Sequence, residues 1–217
     1  MSQQEYLGYK SINNLRQILK NHNPKKIFLV TGKGSYYSSG AASAINPMLE
    51  GYETVKFDDF EVNPKLQDIE KGAELFRSTK CDFLISVGGG SVIDVGKSIS
   101  ILTTQSGNFK DYVTGLAKLT ERKVPSVMIP TTSGTGSEST HFSVIYIVKT
   151  KYSLAHKSML ADYAIVDPTF TENLPPNITA HTGMDAFCQA VESYWCINST
   201  EESKQYASEA IKLVIKH

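Results

Sequence analysis

Ile12, Leu15, Ile18 and Leu19 recur at the spacing of one helical face, and that helix should end near residues 21–24, where Pro24 breaks the pattern. Ile27-Phe28-Leu29-Val30 is a continuous apolar run of strand length, closed by Thr31-Gly32-Lys33-Gly34-Ser35. A helix is expected over residues 39–49 and a strand over 54–57. Asn63-Pro64 should open the next helix, which carries Leu66, Ile69, Ala73, Leu75 and Phe76, because proline suits a first helical position. Residues 82–87 read as a strand running straight into Gly88-Gly89-Gly90-Ser91, and residues 92–102 as a helix. Residues 126–129 form another strand, ending at Pro130-Thr131-Thr132-Ser133-Gly134-Thr135-Gly136-Ser137-Glu138. Strand–helix alternation of this kind predicts an α/β fold: a parallel sheet with helices on both faces.

The texture then changes. Residues 143–148 and 152–155, separated by Lys149-Thr150-Lys151, read as a hairpin, and Tyr163-Ala164-Ile165-Val166 as a short strand closed by Asp167-Pro168. After Pro175-Pro176 the strands cease. Residues 179–194, with Ala186, Ala190, Val191 and Tyr194, predict one helix; residues 201–216, with Tyr206, Ala210, Ile211 and Val214, predict another. The expected division is an α/β domain over 1–174 and the beginning of an all-α domain over 175–217. The second part is too short to bury its own core. Its last residues are still in helical pattern, as they would be in a fragment or truncated product of a longer protein. Apolar surface should therefore be exposed there, with homo-oligomeric association as the expected consequence.

The composition narrows the partners. Of 217 residues, 41% are hydrophobic and 20% charged, an ordinary soluble globular profile. Lysine plus arginine and aspartate plus glutamate balance at 22 each, so no global field holds the chain on nucleic acid or an acidic membrane. No apolar run approaches the ~20 residues that span a bilayer. The first ten residues lack an apolar signal core. Cys81, Cys188 and Cys196 form no CxxC pair and read as reduced thiols, with the latter two as small apolar fillers. The cytoplasm is the expected compartment.

Both glycine-rich loops follow predicted strands, at the sheet edge where open α/β folds bind ligands. Gly88-Gly89-Gly90-Ser91 allows close backbone approach to a pyrophosphate, and the helix behind it offers free N–H groups. A bland turn is the alternative, with Ser91 and Asp94 as a helix capping box. The second loop concentrates Thr131, Thr132, Ser133, Thr135 and Ser137 around Gly134 and Gly136. Such hydroxyls can meet a ribose, a phosphate or a nicotinamide amide; ordinary solvated ST-turns are the alternative. Neither loop is the GxxxxGK[ST] pattern of ATP hydrolysis.

These residues resemble a family. Gly88-Gly89-Gly90-Ser91-Val92-Ile93-Asp94-Val95-Gly96-Lys97 is similar to the GGGSxxDxxK signature of iron-containing (group III) alcohol dehydrogenases, and residues 130–138 to their PTTxGTGSE signature. Ala164-Ile165-Val166-Asp167-Pro168, Leu174-Pro175 and Thr182-Gly183-Met184-Asp185-Ala186 follow in family order. The resemblance covers nearly all of the chain and about the first half of a typical member. It implies a Rossmann-like dinucleotide-binding domain followed by a helical domain, with a divalent metal and substrate between them. It implies that Gly88, Gly89, Gly90 and Ser91 hold the pyrophosphate of NADP(H) or NAD(H), with Asp94 and Ser137 among the cofactor-binding candidates. By the same resemblance Thr131, Thr132 and Thr135 line the nicotinamide and ribose side, Lys157 matches a ribose-contacting lysine, and Asp185 matches the first metal ligand.

The chain also departs from the pattern. The family reads DAxxH where this chain reads Asp185-Ala186-Phe187-Cys188-Gln189. Asp185 and Gln189 stand side by side at i, i+4, but an amide oxygen is a poor transition-metal ligand beside imidazole. Only Asp185 retains the usual identity, so this chain is not expected to hold iron or zinc firmly. Asp185 could equally be a buried, hydrogen-bonded helix residue. His141, His156 and His181 are not in metal-ligand spacing, although His181 lies one turn before Asp185. NAD-using members carry an acidic residue after the first strand; here Gly32, Lys33 and Ser35 offer no carboxylate to repel a 2′-phosphate, which favours NADP(H). The run from Asp185 to Trp195 looks like that of relatives that reduce phosphonoacetaldehyde to 2-hydroxyethylphosphonate. The implied activity is reversible hydride transfer between a nicotinamide cofactor and a small aldehyde or primary alcohol. The alternative is a truncated, non-catalytic module that binds the nucleotide without turnover.

Overall fold

The computed structural model describes residues 3–217. Six strands form one all-parallel sheet: β1 (Gln4–Leu7), β2 (Lys26–Thr31), β3 (Glu53–Phe57), β4 (Phe83–Gly88), β5 (Ser126–Pro130) and β8 (Tyr163–Val166). Their order is β1-β8-β5-β4-β2-β3. The remaining two, β6 (Phe142–Ile147) and β7 (Thr150–Ala155), make a separate antiparallel hairpin.

Side chains of the central strands alternate between two cores, as the period of a strand requires. Ile27, Leu29, Phe83, Ile85, Val87, Val127 and Ile129 face α1 (Asn14–His22), α2 (Ser35–Ser38) and α3 (Ala41–Leu49). Phe28, Val30, Leu84 and Met128 face α4 (Leu66–Thr79), α5 (Gly90–Leu102), α6 (Phe109–Val113) and the hairpin. Helix α1 ends at Asn23 in the left-handed region (φ 46°), whose amide donates to the Leu19 carbonyl at 2.8 Å.

Four boundaries differ from the pattern reading. The N-terminal strand β1 was not expected, because Gln4-Glu5-Tyr6-Leu7 is polar; as an edge strand it pairs only with β8 and needs no apolar run. The helix expected over 39–49 is α3, beginning at Ala41, and Gly40 (φ 81°) separates it from the short α2, which the pattern did not announce. Pro64 does not open α4: the Pro64 carbonyl accepts the Tyr146 amide at 2.7 Å, so the segment stays extended and the helix begins at Leu66. The hairpin turns at Val148 (φ 57°) and Lys149, one residue earlier than expected.

Helix α5 is buried from Val92 to Leu102, between the sheet and the hairpin. Beyond Leu174 lie α7 (Pro176–Trp195) and α8 (Glu201–Lys216), packed on each other. Of their side chains only Ala190 and Ala207 are buried. Met184, Tyr194, Trp195, Tyr206, Leu213 and Ile215 are exposed, as expected of helices without a core of their own. No helix among the described residues is long and apolar enough to cross a membrane.

Candidate functional site

The chain leaves β2 toward β3 on one side and leaves β4 toward β5 on the other, so the C-terminal ends of β2 and β4 form a topological switch point. A crevice at such a point is where doubly wound sheets take ligands. Both glycine-rich loops stand at this edge.

Strand β4 ends at Gly88, and Gly89 (φ −73°, ψ −179°) caps α5 with no side chain assisting. The Gly89 carbonyl accepts the amides of Val92 and Ile93 at 2.9 and 3.1 Å. Among the described residues, the amides of Gly90 and Ser91 have no acceptor. They are the free N–H groups of a long buried helix, where anionic oxygens are stabilised. The expected capping box between Ser91 and Asp94 is not formed. Ser91 lies inside the helix, its Oγ accepting the Asn63 amide at 3.4 Å.

The hydroxyl loop lies directly against this turn. A Cβ on Gly89 would lie 3.3 Å from Thr132 Cγ2, and one on Gly90 3.1 Å from Ser137 Oγ and 3.2 Å from Thr135 Cγ2. The structure thus brings Gly88, Gly89, Gly90 and Ser91 together with Thr131, Thr132, Thr135 and Ser137. The hydroxyls of Thr31, Thr131 and Thr132 are buried without a hydrogen-bond partner. Unsatisfied buried hydroxyls cost free energy unless something else meets them. Free amides on the glycine turn, with the half-buried Thr132, Thr135 and Ser137 side chains set against it, fit a ligand carrying both phosphate and ribose groups.

The loop after β2 closes a third side. A Cβ on Gly32 would meet Ser35 Oγ at 2.3 Å and Val92 Cγ2 at 3.5 Å, so Gly32 and Ser35 border the first turn of α5. Lys33 is exposed, with its Nζ 3.7 Å from Asp59 Oδ1. Asp59 follows β3 and also lies 4.0 Å from Lys71 Nζ. Sequence reading missed this carboxylate, because a neighbouring connection supplies it rather than the loop itself.

Two expected residues are not brought into the crevice. Asp94 commits both oxygens elsewhere: Oδ2 accepts the Val144 amide at 3.0 Å and Oδ1 lies 3.3 Å from Lys97 Nζ. Burial pushes the Asp94 carboxyl up and the Lys97 ammonium down, each opposed by its partner's charge. Burial likewise raises Glu138 at the end of the hydroxyl loop. Lys157 lies at the opposite edge of the sheet. It pairs with Glu121 at 3.3 Å, and its neighbour Ser158 accepts the Arg122 amide at 3.0 Å. Arg122 in turn pairs with Asp162, which accepts the amide of Ser126, the first residue of β5. The chain leaving the hairpin has already run down α5 by residue 157.

The metal position does not fit a metal as this chain presents it. Asp185 is exposed rather than buried, and its Oδ2 accepts Gln189 Nε2 at 2.7 Å. Among the described residues, no three His, Cys, Asp or Glu side chains gather into a ligand set. Two or three further donors would be needed. Cys188 and Cys196 are exposed, not the apolar fillers that the pattern suggested; only Cys81 is buried.

The iron-containing alcohol dehydrogenase family model matches residues 3–168. The chain is 36% identical over 212 residues to long-chain-alcohol dehydrogenase 1 of Geobacillus thermodenitrificans, covering 96% of this chain and 54% of that protein. It is 37% identical to the NADPH-dependent butanol dehydrogenase of Clostridium saccharobutylicum, covering 98% of this chain and 55% of the relative. It superimposes on sulfoacetaldehyde reductase from Bifidobacterium kashiwanohense, solved with NAD+, with a TM-score of 0.91 and 31% identity, covering 99% of this chain and 57% of that one. The chain spans about half the length of the curated relatives it matches. With the two loops in family order on a shared all-parallel sheet, this chain belongs to the iron-containing alcohol dehydrogenase family.

Proposed function

We propose that the crevice between β2 and β4 binds NADP(H) or NAD(H), and that the chain is the cofactor half of an oxidoreductase interconverting a small aldehyde and a primary alcohol. The observation that carries the reading is the placement of the free Gly90 and Ser91 amides against the Thr132, Thr135 and Ser137 side chains. Bound there, a nicotinamide nucleotide supplies the hydride acceptor or donor. The chain's own residues do the rest of the binding. The Gly90 and Ser91 amides meet the pyrophosphate; Thr131, Thr132, Thr135 and Ser137 orient the ribose and nicotinamide. Lys33, Gly32 and Ser35 meet the adenosine 2′-position, which favours NADP(H). Asp185 with Gln189 is too poor a donor set for iron or zinc, so no step through a metal is derived for this chain.

The substrate reading is an aldehyde with an anionic head, phosphonoacetaldehyde giving 2-hydroxyethylphosphonate. The DAFCQAVESYW run of residues 185–195 supports it, and the likeness to a sulfoacetaldehyde reductase is in keeping with it. The domain division near residue 174, a cytoplasmic setting and self-association through the exposed α7–α8 face belong to the same proposal. Sedimentation at two concentrations tests the last, with a strictly monomeric chain as the contradicting result.

A second reading is a nucleotide-binding module without turnover, favoured by the isolated Asp185. NADPH binding and NADPH oxidation, measured on one sample with phosphonoacetaldehyde, sulfoacetaldehyde and butanal, separate the two. Oxidation with an anionic aldehyde supports the enzyme; saturable binding with no oxidation supports the module.

A further inference from the structure

Lys97 has no exposed surface, yet it is a charged side chain two turns along α5 from the glycine turn. Its Nζ donates to the Ser137 carbonyl at 2.8 Å, to Thr140 Oγ1 at 2.8 Å and to the Phe142 carbonyl. An ammonium has three donors, and all three are spent on one short stretch, residues 137–142. Asp94 on the same helix lies within ion-pair distance and anchors the hairpin through the Val144 amide. Ser98 and Ser143 add a second tie at 2.8 Å.

Packing alone does not call for this arrangement. A buried charge is costly, and an apolar side chain of similar volume would fill the space at least as well. What the ammonium does is hold backbone that no strand ladder fastens. Between the end of β5 and Ser137 the loop passes through Gly134 (φ 125°) and Gly136 (φ 62°), outside any strand ladder. Ser137 is the residue whose Oγ would lie 3.1 Å from a Cβ on Gly90. Fixing the Ser137 carbonyl therefore fixes the spacing between the hydroxyl loop and the glycine turn. The turn itself needs no such help, since β4 and α5 hold both of its ends.

We infer that Lys97 is a positioning residue. Its buried ammonium sets the hydroxyl loop and so shapes the nicotinamide-ribose end of the crevice, while the pyrophosphate end depends on the glycine turn alone. This rests on the dinucleotide reading above.

The two ends can be probed separately with NADPH and with 2′-phospho-ADP, which keeps the pyrophosphate and lacks both the nicotinamide and its ribose. Isothermal titration of the wild type, Lys97→Met and Thr140→Val with both ligands is the test. Loss of a buried charge-assisted bond should weaken NADPH about tenfold in Lys97→Met and about threefold in Thr140→Val. Affinity for 2′-phospho-ADP should stay within about twofold in both, and Ser98→Ala should leave both ligands unchanged. If Lys97→Met fails to fold, Thr140→Val decides alone. Equal losses for the two ligands, or none for NADPH, would show that Lys97 only holds the fold. A wild-type chain that binds neither ligand removes the dinucleotide reading itself, and this inference with it.

Discussion

A Cβ on Gly134 would lie 2.2 Å from the carbonyl oxygen of Thr182, so the hydroxyl loop and helix α7 meet backbone against backbone. Gly134 also holds φ 125°, a conformation that disfavours any L side chain. The two effects add. Gly134→Ala should destabilise the chain by roughly 2 kcal/mol, lowering Tm by roughly 4–8 °C. A calorimetric scan checks this, and an unchanged Tm would mean that α7 does not rest on the loop.

Lys33 and Asp59 should act in opposite senses on cofactor choice. Lys33 is exposed and held 3.7 Å from the carboxylate that competes for it. Lys33→Ala should weaken NADPH by roughly threefold to fivefold, with NADH little changed. Asp59→Ala should strengthen NADPH instead, and both effects should shrink as salt rises. Titrations with the two nucleotides at low and high ionic strength measure this; equal shifts for NADPH and NADH would remove the 2′-phosphate from the account.

The sequence made much of this arrangement legible, but unevenly. Strands β2, β4 and β5 are buried on both faces and announce themselves as apolar runs. Strand β1 lies at the edge and carries no such signal. The motif marks Asp94 and Lys97 in the buried helix α5 but not what they hold, because their contacts lie some forty to fifty residues further along the chain. The glycine and hydroxyl loops are readable because close backbone approach demands small residues. Lys157 was misplaced because chain order alone does not say how far the segment descends after the hairpin. Asp59 was missed because its partner Lys33 sits on a different loop.

Gln189 closes the Asp185 carboxylate into an intrahelical hydrogen bond at 2.7 Å. Gln189→His would place an imidazole one turn from that carboxylate, a spacing that suits zinc. The variant should bind zinc about tenfold more tightly than the parent chain, with a saturable rise in melting temperature. Zinc titration with both chains is the check. Equal affinity would show that an imidazole at this position adds no ligand beside Asp185.

Burial pushes Tyr36 up to about 12, assisted by Tyr37 and opposed by Lys56, while its hydroxyl donates to Asn46 Oδ1 at 2.6 Å. The folded chain therefore keeps this proton longer than the unfolded chain does. The contribution to stability is complete below the ordinary tyrosine value near ~10 and is lost as pH rises toward the folded value. Tyrosinate absorbance should show a late-titrating group that Tyr36→Phe removes. A wild-type profile identical to that of Tyr36→Phe would contradict the assignment.

The central claim is that pyrophosphate oxygens rest on the free amides of Gly90 and Ser91. Gly90→Val tests it most directly, because even its Cβ would lie tightly against Ser137 and Thr135, so the side chain crowds the crevice at the free amides without touching the strands. In isothermal titration the wild type should give saturable one-site binding of NADPH, and Gly90→Val a loss of at least about tenfold with its melting temperature largely kept. No heat from the wild type, or undiminished binding by Gly90→Val, would contradict the account.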